Sequence, residues 1–151
     1  VEGLLRRQNA GKEIGGTVPY QAQVVRSVMK YQNKHVRARI DGLEREGVYT
    51  AFFACNGRYL AGGMHIAPRA DIADGLLDVV VLHRLSRLGL LLRLPTVYLG
   101  WHTVLPQVEV HRAQELVVDT EERILIQADG ELVGTAPATI RVIPQALRVR
   151  I

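Results

Sequence analysis

From His35 to the C-terminus the sequence is a succession of short apolar runs rich in β-branched residues: HVRARI, VYTAFFAC, LLDVVVLH, QVEVHR, ELVVDT, RILIQAD, ATIRVIP and ALRVRI. Turn signals separate most of them at intervals of roughly 8–12 residues. This rhythm constrains the fold more than any other feature. The runs have strand length, and the gaps between most of them leave no room for helices, so a regular βαβ alternation is excluded and an antiparallel sandwich or barrel is implied. HVRARI alternates in polarity as a half-buried strand does, whereas VYTAFFAC and LLDVVVLH are almost wholly apolar, as strands covered on both faces are.

Two regions break the rhythm. The first third reads as helical. VEGLLRRQNAGK is short and amphipathic and is broken by the glycines of IGG; TVPYQAQVVRSVMKYQN comes next, with Thr17 placed to cap it, Pro19 in its first turn, and Val24, Val28 and Tyr31 on one helical face. The second region is LSRLGLLLRLPTVYLGW, residues 85–101, where Ser86 is placed to cap a helix and Pro95 to end or kink it. Leucines 85, 88, 90, 91, 92 and 94 cover nearly its whole circumference, which reads first as a buried helix and second as one contacting lipid or a partner surface. With Arg93 and Pro95 inside it, the segment is too short and too interrupted to span a bilayer. The expected fold is therefore mainly β with α: a β-sandwich of largely antiparallel strands, N-terminal helices and one helix inserted near residues 85–100, in a single domain covering 1–151.

At 151 residues, 48% hydrophobic and 23% charged, the chain suits one globular domain with a substantial core. Its formal charge of +4 and pI near 9.6 fit attraction to phosphates or an anionic surface. The basic residues are scattered and no nucleic-acid motif is present, so nucleic acid is not an expected partner. Cys55 is the only cysteine, which excludes an internal disulfide, and its apolar neighbours make it a small core residue. The five histidines, at 35, 65, 83, 102 and 111, lack metal-ligand spacing and read as surface or ordinary core residues. No signal peptide is visible, which points to the cytoplasm, and the chain begins with Val1 rather than Met, which reads as a piece of a longer protein.

Three Asp-Gly pairs occur, at 41–42, 74–75 and 129–130, each a turn signal. Asp41-Gly42 needs no further explanation. Asp74-Gly75 belongs to the long connection CNGRYLAGGMHIAPRADIADGLLDVVVL, whose glycines, Pro68 and aspartates 71, 74 and 78 link two apolar strands. Connections of that length are uncommon in compact domains and are usually functional. Its carboxylate and backbone oxygens suit a hard cation such as Mg²⁺, or else simply satisfy turn N–H groups. In LIQADGELVG, residues 125–134, Asp129 and Glu131 lie on one side of the chain if the segment stays extended, and they suit a general base and a metal or water orienter.

Taken together, Asn56-Gly57, Gly62-Gly63, Ala67-Pro68-Arg69-Ala70, Asp74-Gly75-Leu76-Leu77-Asp78, Asp129-Gly130-Glu131 and Pro144-Gln145-Ala146-Leu147 closely resemble, in order and spacing, the C-terminal domain of the diacylglycerol kinase and sphingosine kinase superfamily, with bacterial lipid kinases the nearest-looking branch. TVPYQAQVVRSVMKY is similar to the helix before the first of the family's strands in this domain. Ala61 departs from the family, which often has glycine there.

The resemblance implies a β-sandwich that carries the lipid-binding, base-bearing half of an ATP-dependent kinase acting on a lipid hydroxyl, with diacylglycerol the first acceptor and a sphingoid base another. It implies that Asp129 is the general base, that Glu131 belongs to a network reaching the nucleotide-bound Mg²⁺, and that a structural Mg²⁺ is held by the Asp74 side chain and backbone oxygens near Asp71 and Leu76. The family's nucleotide-binding domain, with its Gly-Gly-Asp-Gly-Thr motif, has no counterpart in this sequence, so the isolated chain is expected to be inactive. Contact with the membrane periphery is expected, and homodimerisation through the face left open by the missing half is a further expectation. The rival readings are a non-catalytic β-sandwich that binds lipid or a partner, and a related phosphotransferase of the NAD kinase kind.

Overall fold

A computed structural model describes residues 31–147 together with Val28. The chain divides into two units, Val1–Lys30 and Tyr31–Ile151, and the second carries the strands. The helix expected over 1–12 lies outside the described residues, as does most of the one expected over 17–33: of the latter, Val28 is helical and buried, while Tyr31–Asn33 are non-helical and lead into the first strand.

The second unit contains eight strands: β1 (Lys34–Ile40), β2 (Leu43–Cys55), β3 (Leu77–His83), β4 (Val108–Ala113), β5 (Glu115–Asp119), β6 (Leu125–Ala128), β7 (Glu131–Thr135) and β8 (Ala138–Arg141). Six form one antiparallel sheet in the order β4-β3-β2-β1-β5-β8, and β6 and β7 form a separate two-stranded ribbon. The mainly β, sandwich-like expectation is met. The first hairpin is closed by Asp41 and Gly42, whose φ angles of 45° and 83° suit the two-residue type I′ turn that Asp-Gly predicts.

The topology requires strong curvature. β4 and β5 are separated by Gln114 alone yet lie four positions apart in the sheet order. The sheet must therefore curl until its β4 edge comes back near β5. The bend is taken up in the thirteen-residue β2, where the register shifts between Tyr49 and Ala51, a bulge of the kind that bends and re-twists a strand. Inside the curl, Val36, Ala38 and Ile40 of β1 meet Val79 and Val81 of β3 and Leu116 of β5 to form the main core. VYTAFFAC and LLDVVVLH are apolar throughout because their other face is covered as well: Ile66, Ala67 and Ala70 of the long connection pack against Val80 and Val108.

Helix α1 (Arg87–Tyr98) begins where Ser86 predicts, its Oγ accepting the Gly89 N–H, and it runs through Pro95. The expectation that this helix is buried is not met. It has no buried residue, and Leu88 and Leu92 are 66% and 69% exposed. An unbroken circle of leucines implies burial only if neighbouring elements surround the helix; among the described residues, α1 presses on the sheet side mainly through Val97.

Candidate active site

The connection from Cys55 to Leu77 is ordered by its own backbone bonds and by clasps to the segment after α1. Ala67 donates its N–H to Arg58 O at 3.2 Å, and Arg58 Nε donates to Ala70 O at 2.9 Å. Buried His102, in the short 3₁₀ turn after α1, meets Ile66 O through Nε2 at 2.9 Å, and burial holds its imidazole below the usual pKa. Beside it, a Cβ at Gly100 would come within 2.9 Å of Pro68, so only glycine allows this approach.

The aspartates of the connection are thereby fixed in place. Asp71 Oδ1 accepts the Ala73 N–H at 2.9 Å, and Asp74 Oδ1 accepts the Leu76 N–H at 2.8 Å, so the turn-satisfying role read from the sequence is realised. The second oxygen of Asp74 is paired with the Arg112 guanidinium on β4. Asp78 sits beneath, across from Cys55 on β2 and Arg112 on β4. It is 1% exposed, and its Oδ2 has no hydrogen-bond partner among the described residues. Burial raises its carboxyl pKa, Arg112 pulls against that and Asp74 adds to it.

These groups suit Mg²⁺ by donor chemistry. Among the described residues no set of three or more His, Cys, Asp or Glu side chains is arranged to hold a metal, so a cation here has to take backbone oxygens and water beside the Asp71 and Asp74 carboxylates. That is how Mg²⁺, which keeps several waters, is commonly held. Arg112 already supplies positive charge to Asp74 and competes for the same oxygen.

Asp129 and Glu131 lie elsewhere. Asp129 and Gly130 have φ angles of 50° and 88°, and Ala128 pairs directly with Glu131. The segment is a type I′ turn joining β6 to β7. It is not extended, so the premise that placed the two carboxylates on one side of a straight strand does not hold: the chain reverses between them. Both residues are exposed, and neither side chain makes a hydrogen bond or ion pair to another described residue. The connection unites Asp71, Asp74 and Leu76, while the hairpin tip presents Asp129 and Glu131, and among the described residues no hydrogen bond joins the two groups.

Sequence reasoning missed two arrangements. One is Arg112, whose bond to Asp74 spans 38 residues. The other is a cluster on β3 and β4: Glu109 is bonded to His83 Nε2 at 2.7 Å and to His111 Nε2 at 2.9 Å, with Arg45 3.8 Å away. Glu109 and His111 are two apart on one strand and so share a face, which was readable; His83 joins them only because β3 lies beside β4.

A long connection laid over a curled antiparallel sheet, with a two-stranded ribbon beside it in the chain order, makes a mainly antiparallel, sandwich-like domain. Residues 4–151 match the family described as the YegS C-terminal NAD kinase beta sandwich-like domain, and the chain belongs to that family. It is 39% identical over 94 residues to a diacylglycerol kinase of Mycobacterium tuberculosis, covering 62% of this chain and 30% of that protein. It is 32% identical over 124 residues to a protein of Stenotrophomonas maltophilia named "Probable lipid kinase YegS-like", covering 77% of this chain and 38% of the other. The solved structure of a diacylglycerol kinase from Bacillus anthracis superposes with a TM-score of 0.60 at 18% identity, over 81% of this chain and 44% of that one; it shares the fold. The chain thus spans less than half the length of each of these proteins.

Proposed function

We propose that this chain is the C-terminal domain of an ATP-dependent lipid kinase, with diacylglycerol as the acceptor and Asp129 as general base. The observation that carries this reading is the Asp129-Gly130-Glu131 tip. In a chain of this family, it presents an exposed carboxylate that no described residue occupies. Phosphoryl transfer asks little more of the protein than positioning, charge neutralisation and one group to take the attacking proton. Asp129 accepts that proton as the lipid oxygen bonds to the γ-phosphorus and the bond to the β-phosphate oxygen breaks. Glu131, directly after the turn, would orient the nucleotide-bound Mg²⁺ side of the site, where that metal would supply charge neutralisation. Asp74, with backbone oxygens near Asp71 and Leu76, would hold a second, structural Mg²⁺. ATP is bound mainly by the other half of the parent protein, which works in the cytoplasm at the membrane periphery, and the isolated chain is inactive.

The test is transfer of labelled phosphate from ATP to a panel of diacylglycerol, sphingoid base and NAD by the full-length parent and its Asp129→Asn variant. Labelling of diacylglycerol, reduced about 10²- to 10⁴-fold in the variant, is the expected result for loss of a general base. Labelling of NAD instead identifies a nucleotide kinase, and labelling of nothing identifies a binding module.

A further inference from the structure

On a helix packed against a water-soluble domain the outward stripe is normally polar. On α1 it is not. Leu88, Leu92, Pro95 and Leu99 succeed one another at helical spacing, all exposed, and beyond the helix Trp101 and Val104 are 66% and 83% exposed. The charge of the same stretch is one-sided. From Arg84 to Gln107 the sequence holds Arg84, Arg87 and Arg93 and no Asp or Glu. None of the three pairs with a carboxylate among the described residues, as Arg37, Arg45, Arg112 and Arg141 do; Arg39, Arg58, Arg69 and Arg123 share that property, so the distinctive feature here is the absence of acid from the stretch itself. Arg84 and Arg87 also line a cleft of about 440 Å³ at the start of the helix, together with Asn33, Ser86 and Leu90.

We infer that the outward face of α1 and the turn after it form a docking surface for an anionic lipid membrane, with the leucines and Trp101 entering the interface and Arg84 and Arg87 meeting acidic headgroups. Leucines and an indole suit the boundary between headgroups and acyl chains. A stretch that carries three arginines and no carboxylate is complementary to an anionic leaflet, whereas an apolar protein partner would need no such charge bias. No helix among the described residues is long and apolar enough to cross a membrane, so this contact lies on the surface. The inference rests on the lipid-kinase reading for its occupant, because an enzyme whose acceptor resides in a bilayer must reach it.

Trp101 is the only tryptophan of the chain and reports directly on the surface. The 151-residue chain is titrated with vesicles of pure phosphatidylcholine and with vesicles containing about one-third phosphatidylglycerol, read by Trp101 emission and co-sedimentation. The expected result is a blue shift and sedimentation with anionic vesicles only, weakened roughly tenfold or more by Leu88→Asp/Leu92→Asp, by Arg84→Glu/Arg87→Glu, and by raising salt from about 0.1 M to about 1 M. These side chains lie at the surface, and unchanged circular dichroism confirms that the variants fold. Unchanged binding in both double variants, equal binding to neutral vesicles, or self-association through the leucines without vesicle binding each overturns the inference. A parent that phosphorylates no lipid while the chain still binds vesicles through these residues overturns the kinase reading alone; an active parent with a lipid-blind α1 overturns the docking surface alone.

Discussion

Asp41 clasps the corner at Gln114. Its Oδ1 accepts the backbone N–H groups of Gln114 and of Glu115, both at 2.9 Å, while its own N–H donates to Glu115 O at 3.1 Å. A residue that the sequence explains fully as a hairpin turn thus also holds the point where the chain passes from β4 to β5. Asp41→Ala removes two bonds to a charged acceptor and is expected to cost about 2 kcal/mol, a fall in Tm of roughly 4–8 °C for a chain of this size. Asp41→Asn, which tolerates the same positive φ and keeps one acceptor, should lose less. Thermal melts of the two variants check this, and an unchanged Tm for Asp41→Ala would refute it.

Arg112 bonds Asp74 and lies across from Asp78. Arg112→Ala is expected to lower stability by leaving the two carboxylates uncompensated. It is also expected to make stability respond to Mg²⁺, because the competing cation has gone. The check is Tm with and without millimolar Mg²⁺: a rise in Arg112→Ala larger than in the unmodified chain supports the loop as a Mg²⁺ site, and an equal response in both removes that support.

Burial pushes the Cys55 thiol up to about 11, with the Asp78 charge adding to the effect. The thiolate is the reactive species. At mildly alkaline pH, alkylation in the native state is therefore expected to be about 100-fold slower than in denaturant. Comparable rates in the two conditions would show that the outer layer over β2 and β3 opens readily.

The hydrogen bond from His111 holds the Glu109 carboxyl below its ordinary value of 4.5; burial opposes this, and the bond from His83 with the charges of His83 and Arg45 reinforces it. A carboxyl whose pKa is lowered by folding contributes stability above its unfolded value and loses it as pH falls through the lower, folded one. Glu109→Gln is therefore expected to be less stable than the unmodified chain near neutrality and to lose less as pH falls through and below the ordinary glutamate value of 4.5, so that the two curves approach each other in acid. Parallel curves would show that Glu109 is not linked to acid unfolding.

Strand content was legible because it is local. β1, β2, β3, β4, β5, β6 and β8 each coincide with a β-branched run, and Asp41-Gly42 and Ser86 act as their chemistry predicts. The burial of α1 was misread because side-chain pattern reports what a helix is able to bury against, and not what lies beside it. At Asp129 two local signals conflicted: Asp-Gly as a turn and Asp-x-Glu as a same-face pair. The turn prevailed because positive φ at both central residues reverses the chain. The Asp74–Arg112 bond and the His83–Glu109–His111 group depend on pairing between strands far apart in sequence, which spacing alone does not encode.

The single residue between β4 and β5 carries a further consequence, for tolerated changes of chain length. Ala113 and Leu116 both face the core, three positions apart, so the inward parity of alternation shifts by one residue at this corner. A deletion or insertion at Gln114 would shift it again and turn Leu116 and Val118 toward water. The long connection over the outer face has no such parity to preserve at Asn56–Arg58. Across relatives, length variation should therefore collect on that side of the sheet and be purged from the corner at 114, leaving a fixed count of residues as the fold's most conserved dimension.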